Sequence, residues 1–269
     1  MFRTFRRLDY MILRRLGNKK KIAKEIQKYF PLHKIYIEPF FGAGGMFFNK
    51  PKAKYNIVND LDSDVFNLFN VVMNQKEELE KAFYIMPMHS DLLEYWKNNE
   101  EVEPIKKALR FLFLSNLINP TNGDIKRNLM DNSRDLVLLN LNKTLKYLND
   151  CNVRFFNEDF NLFINRIVFR GNERPKQDES TFIYCDPPYL GTSDNYSNSF
   201  NKEKSLLLFD TLEGTKCKYA MSEFDHPFIL EQAKERNLNV IIIGERQNLK
   251  NRRVEVLITN YENNQQSLF

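Results

Sequence analysis

Residues 34–48 read KIYIEPFFGAGGMFF. Ile35, Tyr36 and Ile37 favour a pleated strand. Pro39 and the glycines at 42, 44 and 45 stop it at once. The stretch therefore predicts a strand, a tight glycine-rich turn and a helix beginning at Met46. Residues 54–60, KYNIVND, predict a second short strand ending in Asp60. Residues 62–85 then carry a helical pattern, with Asp62 or Ser63 as its cap. Strand, helix and strand in so short a span are the βαβ unit of a parallel sheet.

The same rhythm extends outward in both directions. Upstream, NKKKIAKEIQKYF (18–30) has apolar residues at helical spacing, and Pro31 closes the helix. Downstream, VRFFNEDF (153–160), TFIYCDPPY (181–189), KCKYAMSE (216–223) and VIIIGE (240–245) read as strands. RRVEVLITNY (252–261) has the alternation of an antiparallel strand near an edge. Between them GNERPKQDES (171–180) is a charged loop. The fold class is α/β: a Rossmann-like, mostly parallel sheet with one antiparallel edge strand.

Residues 86–150 break the pattern. They hold helical segments (104–118 and 135–148) around the polar turn NPTNGDIKRN. The path from Gly44 to Asp186 is also longer than three βα units of about 30 residues each require. The chain is thus divided into residues 1–85 with 151–269 as one domain, and an inserted, mainly helical 86–150 as another.

Composition narrows the class. Of the 269 residues, 42% are hydrophobic and 28% charged, a globular balance. A net charge of +5 permits a nucleic-acid partner without requiring one. Cys151, Cys185 and Cys217 form no CxxC pair, which argues against zinc and disulfides and for a reducing cytoplasm. His33, His89 and His226 lack ligand-spaced partners, so no metal is expected. Neither a signal peptide nor a membrane span is legible.

Three motifs carry chemistry. The turn from Glu38 to Gly44 sits where α/β folds bind cofactors, and its glycines let a ligand approach the backbone. Asp60, ending the next strand, is placed to accept from ribose hydroxyls. Asp186-Pro187-Pro188-Tyr189 follows the apolar strand TFIYC. Two prolines cannot continue a central strand, and they leave a rigid carbonyl without a ladder partner. Asp186 and the Pro187 carbonyl suit the two N–H groups of an amine on a planar base, with Tyr189 stacking on its ring. Cys185 alternates to the other side of the strand from Asp186 and is read as a small buried residue, not a nucleophile.

Taken in order, EPFFGAG (38–44), ND (59–60), EDF (158–160), DPPY (186–189) with Tyr196 and Phe200 behind it, and RRVEVLITNY (252–261) resemble the Dam-like DNA N6-adenine methyltransferases, the D12 class, alpha group. RRLGNKKKIAKEIQKYFP (14–31) is similar to that family's N-terminal cofactor-side motif. The resemblance implies an S-adenosyl-L-methionine-dependent enzyme that methylates adenine N6 in double-stranded DNA. It implies that Lys19 and the turn through Glu38, Phe40, Gly42 and Gly44 hold the methionine part of the cofactor. Asp60 would bind its ribose, and Asp159 its adenine amine with Phe160 beside the ring. Asp186, Pro187 and Tyr189 would hold a flipped-out target adenine, with Asp186 also facing the cofactor.

Residues 86–150 are assigned to target recognition. Lys126, Arg127 and Arg134 are candidate phosphate or base contacts, and Tyr196 in GTSDNYSNSF (191–200) is a further DNA-side candidate. The resemblance also implies a monomer in the cytoplasm, and a restriction endonuclease of the same site as a candidate partner. The family's usual Asn- and Arg-rich GATC-reading segment is not found in 86–150, so no target sequence is assigned. Two other readings stand beside this one. N4-cytosine or an RNA base presents the same amine geometry, although N4-cytosine enzymes more often carry Ser where Asp186 stands. A catalytically silent DNA-binding protein would keep the fold but has no need of an intact DPPY.

Overall fold

A computed structural model describes residues 11–13, 19–118, 123–125, 132–168, 180–191, 200–247 and 252–262. By its contacts the chain divides into two compact units. One holds Lys19–Phe41, Gly45–Leu61 and Val153–Phe269; the other holds Met1–Asn18, Gly42–Gly44 and Asp62–Asn152.

The first unit is built on a seven-stranded sheet: β1 (Ile35–Glu38), β2 (Tyr55–Asn59), β3 (Val153–Phe156), β4 (Thr181–Cys185), β5 (Lys218–Phe224), β6 (Asn239–Gln247) and β7 (Arg252–Thr259). Their order is β3-β2-β1-β4-β5-β7-β6. The first five are parallel, and β7 runs antiparallel between β5 and β6. This is the mostly parallel sheet expected, with its antiparallel strand toward one edge. Every residue of β4 is buried, as a parallel strand covered on both faces must be. Cys185 and Cys217 lie in the apolar core with Ile37, Phe163, Ile183, Leu208 and Ile258. Helices α1 (Ala23–Gln27), α7 (Phe160–Val168), α8 (Lys202–Gly214) and α9 (Pro227–Glu235) belong to this unit.

No helix forms at Met46. Residues 45–49 make a single turn, in which the Asn49 and Lys50 N–H groups both reach the Met46 carbonyl. The Asn49 side chain donates to the Gly45 carbonyl, and Pro51 bars continuation.

The second unit is helical: α2 (Ser63–Asn74), α3 (Lys76–Ile85), α4 (Ser90–Asn98), α5 (Pro104–Asn116) and α6 (Asn132–Asp150). The pattern over 62–85 becomes two helices. Gln75 takes non-helical φ −140° and ψ 36°, and α3 restarts with Glu77 and Glu78 in its first turn. Asp62 caps α2 as predicted, accepting from the Asp64 N–H at 2.9 Å. Glu103 caps α5 and is followed by Pro104, the residue best tolerated at a first helical position. Trp96 packs edge-on to Phe113 at 5.2 Å, and its indole N–H donates to Glu101. His89 and His226 are N-caps of α4 and α9, which fits a structural reading of both. Among the described residues, no helix is long and apolar enough to cross a membrane.

Candidate active site

The site lies at the carboxyl ends of the parallel strands, where an α/β sheet opens a crevice. Glu38 ends β1, Asp60 follows β2, Asp159 follows β3 and Asp186 follows β4. Parallel pairing in register brings these four acids to the same end. After Glu38, Gly42 and Gly44 adopt positive φ of 55° and 71°, a conformation other residues enter only with strain.

Asn59 clips the strand ends together. Its amide donates to the Pro39 and Glu158 carbonyls and accepts from the Glu158 N–H. Its own carbonyl accepts from the Phe41 N–H. The first residue of the ND pair is therefore the brace and the second, half-buried Asp60, the functional candidate. Asp159 caps α7, with one carboxylate oxygen accepting from the Asn161 N–H at 3.0 Å.

Three rings gather beside these acids. Phe40 lies 5.5 Å from Phe160 and 5.9 Å from Phe200, and Phe160 lies 5.9 Å from Phe200. Glu38 is buried, and the Tyr36 hydroxyl donates to it at 2.8 Å. Burial pushes its carboxyl well above the usual range; Asp186 and Asp60 push the same way, while Tyr36 and Lys50 oppose. A cation bound beside it would relieve that strain.

Lys19 is 2% exposed, and its Nζ sits 2.6 Å from Asp186 Oδ1 and 3.3 Å from Glu255 Oε1. The same Nζ stands 4.5 Å from the centroid of the Tyr189 ring. Tyr189 is itself buried, edge-on to Phe224 at 4.5 Å, and its hydroxyl donates to Glu255. Burial, then the charges of Asp186 and Glu255, push that hydroxyl well up, so it stays a donor. Asp186 is the partly open member, at 19%. Cys185 is fully buried, and burial raises its thiol well above its ordinary value, which leaves it without nucleophilic character.

The structure thus brings together Lys19, Glu38, Phe40, Asp60, Asp159, Phe160, Asp186, Pro187 and Tyr189 in the sheet unit. Lys126, Arg127 and Tyr196 lie outside the described residues. Arg134 lies on α6, where its guanidinium donates to the Tyr84 and Met86 carbonyls at the end of α3.

Two acids were not singled out from sequence. Glu223 of β5 accepts from the Leu190 N–H at 2.7 Å and so fastens the residue after Tyr189. Glu255 of β7 stands across from Phe224. The available signal was a lone Glu in each apolar strand, in MSEF and in VEVLI.

The chain matches the family model described as D12 class N6 adenine-specific DNA methyltransferase over residues 16–255. It is 27% identical to the DNA adenine methylase of Escherichia coli (strain K12) over 211 residues, 74% of this chain and 73% of that one. It is 29% identical to the DNA adenine methylase of Haemophilus influenzae over 181 residues, 64% of this chain and 61% of that one. A solved rRNA methylase from Streptococcus thermophilus is similar at a TM-score of 0.36 and 8% identity, covering 88% of this chain and 92% of that one. The matched span runs from before Lys19 to Glu255 and takes in every carboxylate of the site, and the chain belongs to the D12 class N6 adenine-specific DNA methyltransferase family.

Proposed function

We propose that the chain methylates a flipped-out adenine in double-stranded DNA, with Asp186, Pro187 and Tyr189 holding the target amine. One observation carries this reading. Asp186 is the partly open edge of an otherwise buried cluster of ionisable groups, directly after β4 and ahead of a double proline.

S-adenosyl-L-methionine is the cofactor, and it supplies a methyl group on a sulfonium. The donor set fits it. Phe40, Phe160 and Phe200 offer an aromatic wall for its adenine, Asp60 an acceptor for ribose hydroxyls, and Asp159 an acceptor for the adenine amine. Glu38 and Lys19 are of the charges that an ammonium and a carboxylate need. The Gly42 and Gly44 turn allows close backbone approach.

The adenine amine is a poor nucleophile, because its lone pair is delocalised into the ring. Asp186 accepts one N–H and the Pro187 carbonyl the other, which favours a more tetrahedral nitrogen aligned for direct in-line transfer. Asp186 stabilises the positive charge that develops on nitrogen and accepts the proton the amine sheds. Tyr189 lines the pocket that receives the flipped base. No covalent bond to the enzyme is required.

Target recognition is assigned to the inserted segment 86–150, which lies within the helical unit. Lys126 and Arg127 are its candidate phosphate or base contacts. Arg134 would join them only by exchanging the Tyr84 and Met86 carbonyls for phosphate. Tyr196 is the candidate DNA contact behind DPPY.

The test is transfer of labelled methyl from S-adenosyl-L-methionine to duplex DNA, followed by digestion to nucleosides. Label in N6-methyladenine is expected. Label in cytosine, or in RNA in preference to DNA, would overturn the reading.

A further inference from the structure

We propose that Glu255 is a positioning residue for methyl transfer: it keeps Lys19 paired and Tyr189 fixed when Asp186 turns to the target amine. This rests on the function proposed above.

The geometry is that of one cation between two carboxylates of different accessibility. Lys19 Nζ is 2.6 Å from Asp186 Oδ1 and 3.3 Å from Glu255 Oε1. Asp186 is 19% exposed and can meet a substrate; Glu255 is 1% exposed and cannot. A buried ammonium must stay paired, because an unpaired one is expensive. Were Asp186 its sole partner within the protein, an incoming amine that drew Asp186 away would leave Lys19 held by the cofactor carboxylate alone. With Glu255 behind it, Lys19 shifts its pairing by a short movement and remains neutralised. The same Glu255 oxygen accepts from the Tyr189 hydroxyl, so the ring of DPPY is pinned to β7 whichever carboxylate Lys19 favours.

The charges also balance in the right direction. Among the described residues, Lys19 stands against two carboxylates, Asp186 and Glu255, at the strand end. That is what a cationic methyl donor and a nitrogen gaining positive charge require. The third acid nearby, Glu223, is pushed by burial to about 8 and adds little charge at neutral pH.

The test uses the full chain with duplex DNA and labelled S-adenosyl-L-methionine, comparing wild type, Glu255→Gln, Lys19→Met and the double variant. Glu255→Gln is expected to slow single-turnover methylation about 100-fold, the scale of a small misplacement of reacting groups. Cofactor and DNA affinities should be unchanged, a split that general loss of structure would not give. The double variant should be no slower than the slower single variant. If Glu255→Gln melts too low to assay, the charge-keeping Glu255→Asp takes its place and must show the same loss of rate with unchanged affinities, because its shorter side chain no longer reaches Lys19 and the Tyr189 hydroxyl together. A wild-type rate in the variant assayed, or losses that multiply in the double variant, would overturn the inference. If wild type itself methylates no adenine, the functional reading fails instead, whatever Glu255 does.

Discussion

The sheet unit and the helical unit treat charge in opposite ways. Among the described residues, the buried ionisable side chains Lys19, Glu38, Lys50, Glu223 and Glu255 all belong to the sheet unit. Among the described residues, the helical unit buries Asn116 and Thr144 as its polar side chains and no charged one. There Lys107 and Arg110 reach Asp64 across α2 and α5, and Glu103 caps a helix. Burying charge costs stability, and the cost is tolerated where transfer chemistry needs a fixed field. Charges at helix ends and on helix surfaces need no such reason. The contrast lies in where each unit tolerates buried ionisable groups.

The comparison is broken first at Asp186. Asp186→Ala should reduce methyl transfer about a thousandfold, the scale for losing one preorganised electrostatic group. Cofactor binding should survive at least in part, measured by calorimetry. An unimpaired variant would remove the chemical role from the sheet unit. In the helical unit the corresponding large effect is on stability. Trp96→Ala should lower unfolding free energy by about 3 kcal/mol in urea titration, because it empties a buried site against Phe113. Its affinity for S-adenosyl-L-methionine should be unchanged.

The third test sharpens the difference through pH. Burial raises the Glu223 carboxyl from 4.5 to about 8. Between those values the folded chain keeps a proton that the unfolded chain gives up. The stabilisation is therefore full below about 4.5 and is lost as pH rises through about 8. Glu223→Gln should flatten that decline, on the order of 3 to 4 kcal/mol across the range, read from urea midpoints at pH 5 to 8. An equally steep decline in the variant would deny Glu223 the titration. The smallest effect belongs to the surface. Lys107→Ala should cost less than about 1 kcal/mol, because its pair with Asp64 is partly exposed.

Much of this was legible in one dimension. The alternation of apolar residues with Gly and Pro stops located all seven strands, because a strand's period and its termination are local properties. The DPPY and EPFFGAG segments were legible for the same reason: turn chemistry is carried by residues adjacent in sequence. The helix expected at Met46 failed because its pattern competes with the Asn49 side chain and with Pro51, and only one turn fits between them. The single helix read over 62–85 failed at Gln75, where nothing but backbone conformation marks the break.

What sequence by itself determined is the strand order's raw material and the chemistry at each strand end: Glu38, Asp60, Asp159 and Asp186 are where local pattern puts them. Only the tertiary structure decided which of them share a charge. Lys19 and Glu255 stand at opposite ends of the chain, and nothing local relates either to Asp186. They meet because β7 inserts antiparallel beside β5 and carries Glu255 to the end of the sheet that holds DPPY. Once they are brought together away from water, the ammonium and the carboxylates offset one another's burial.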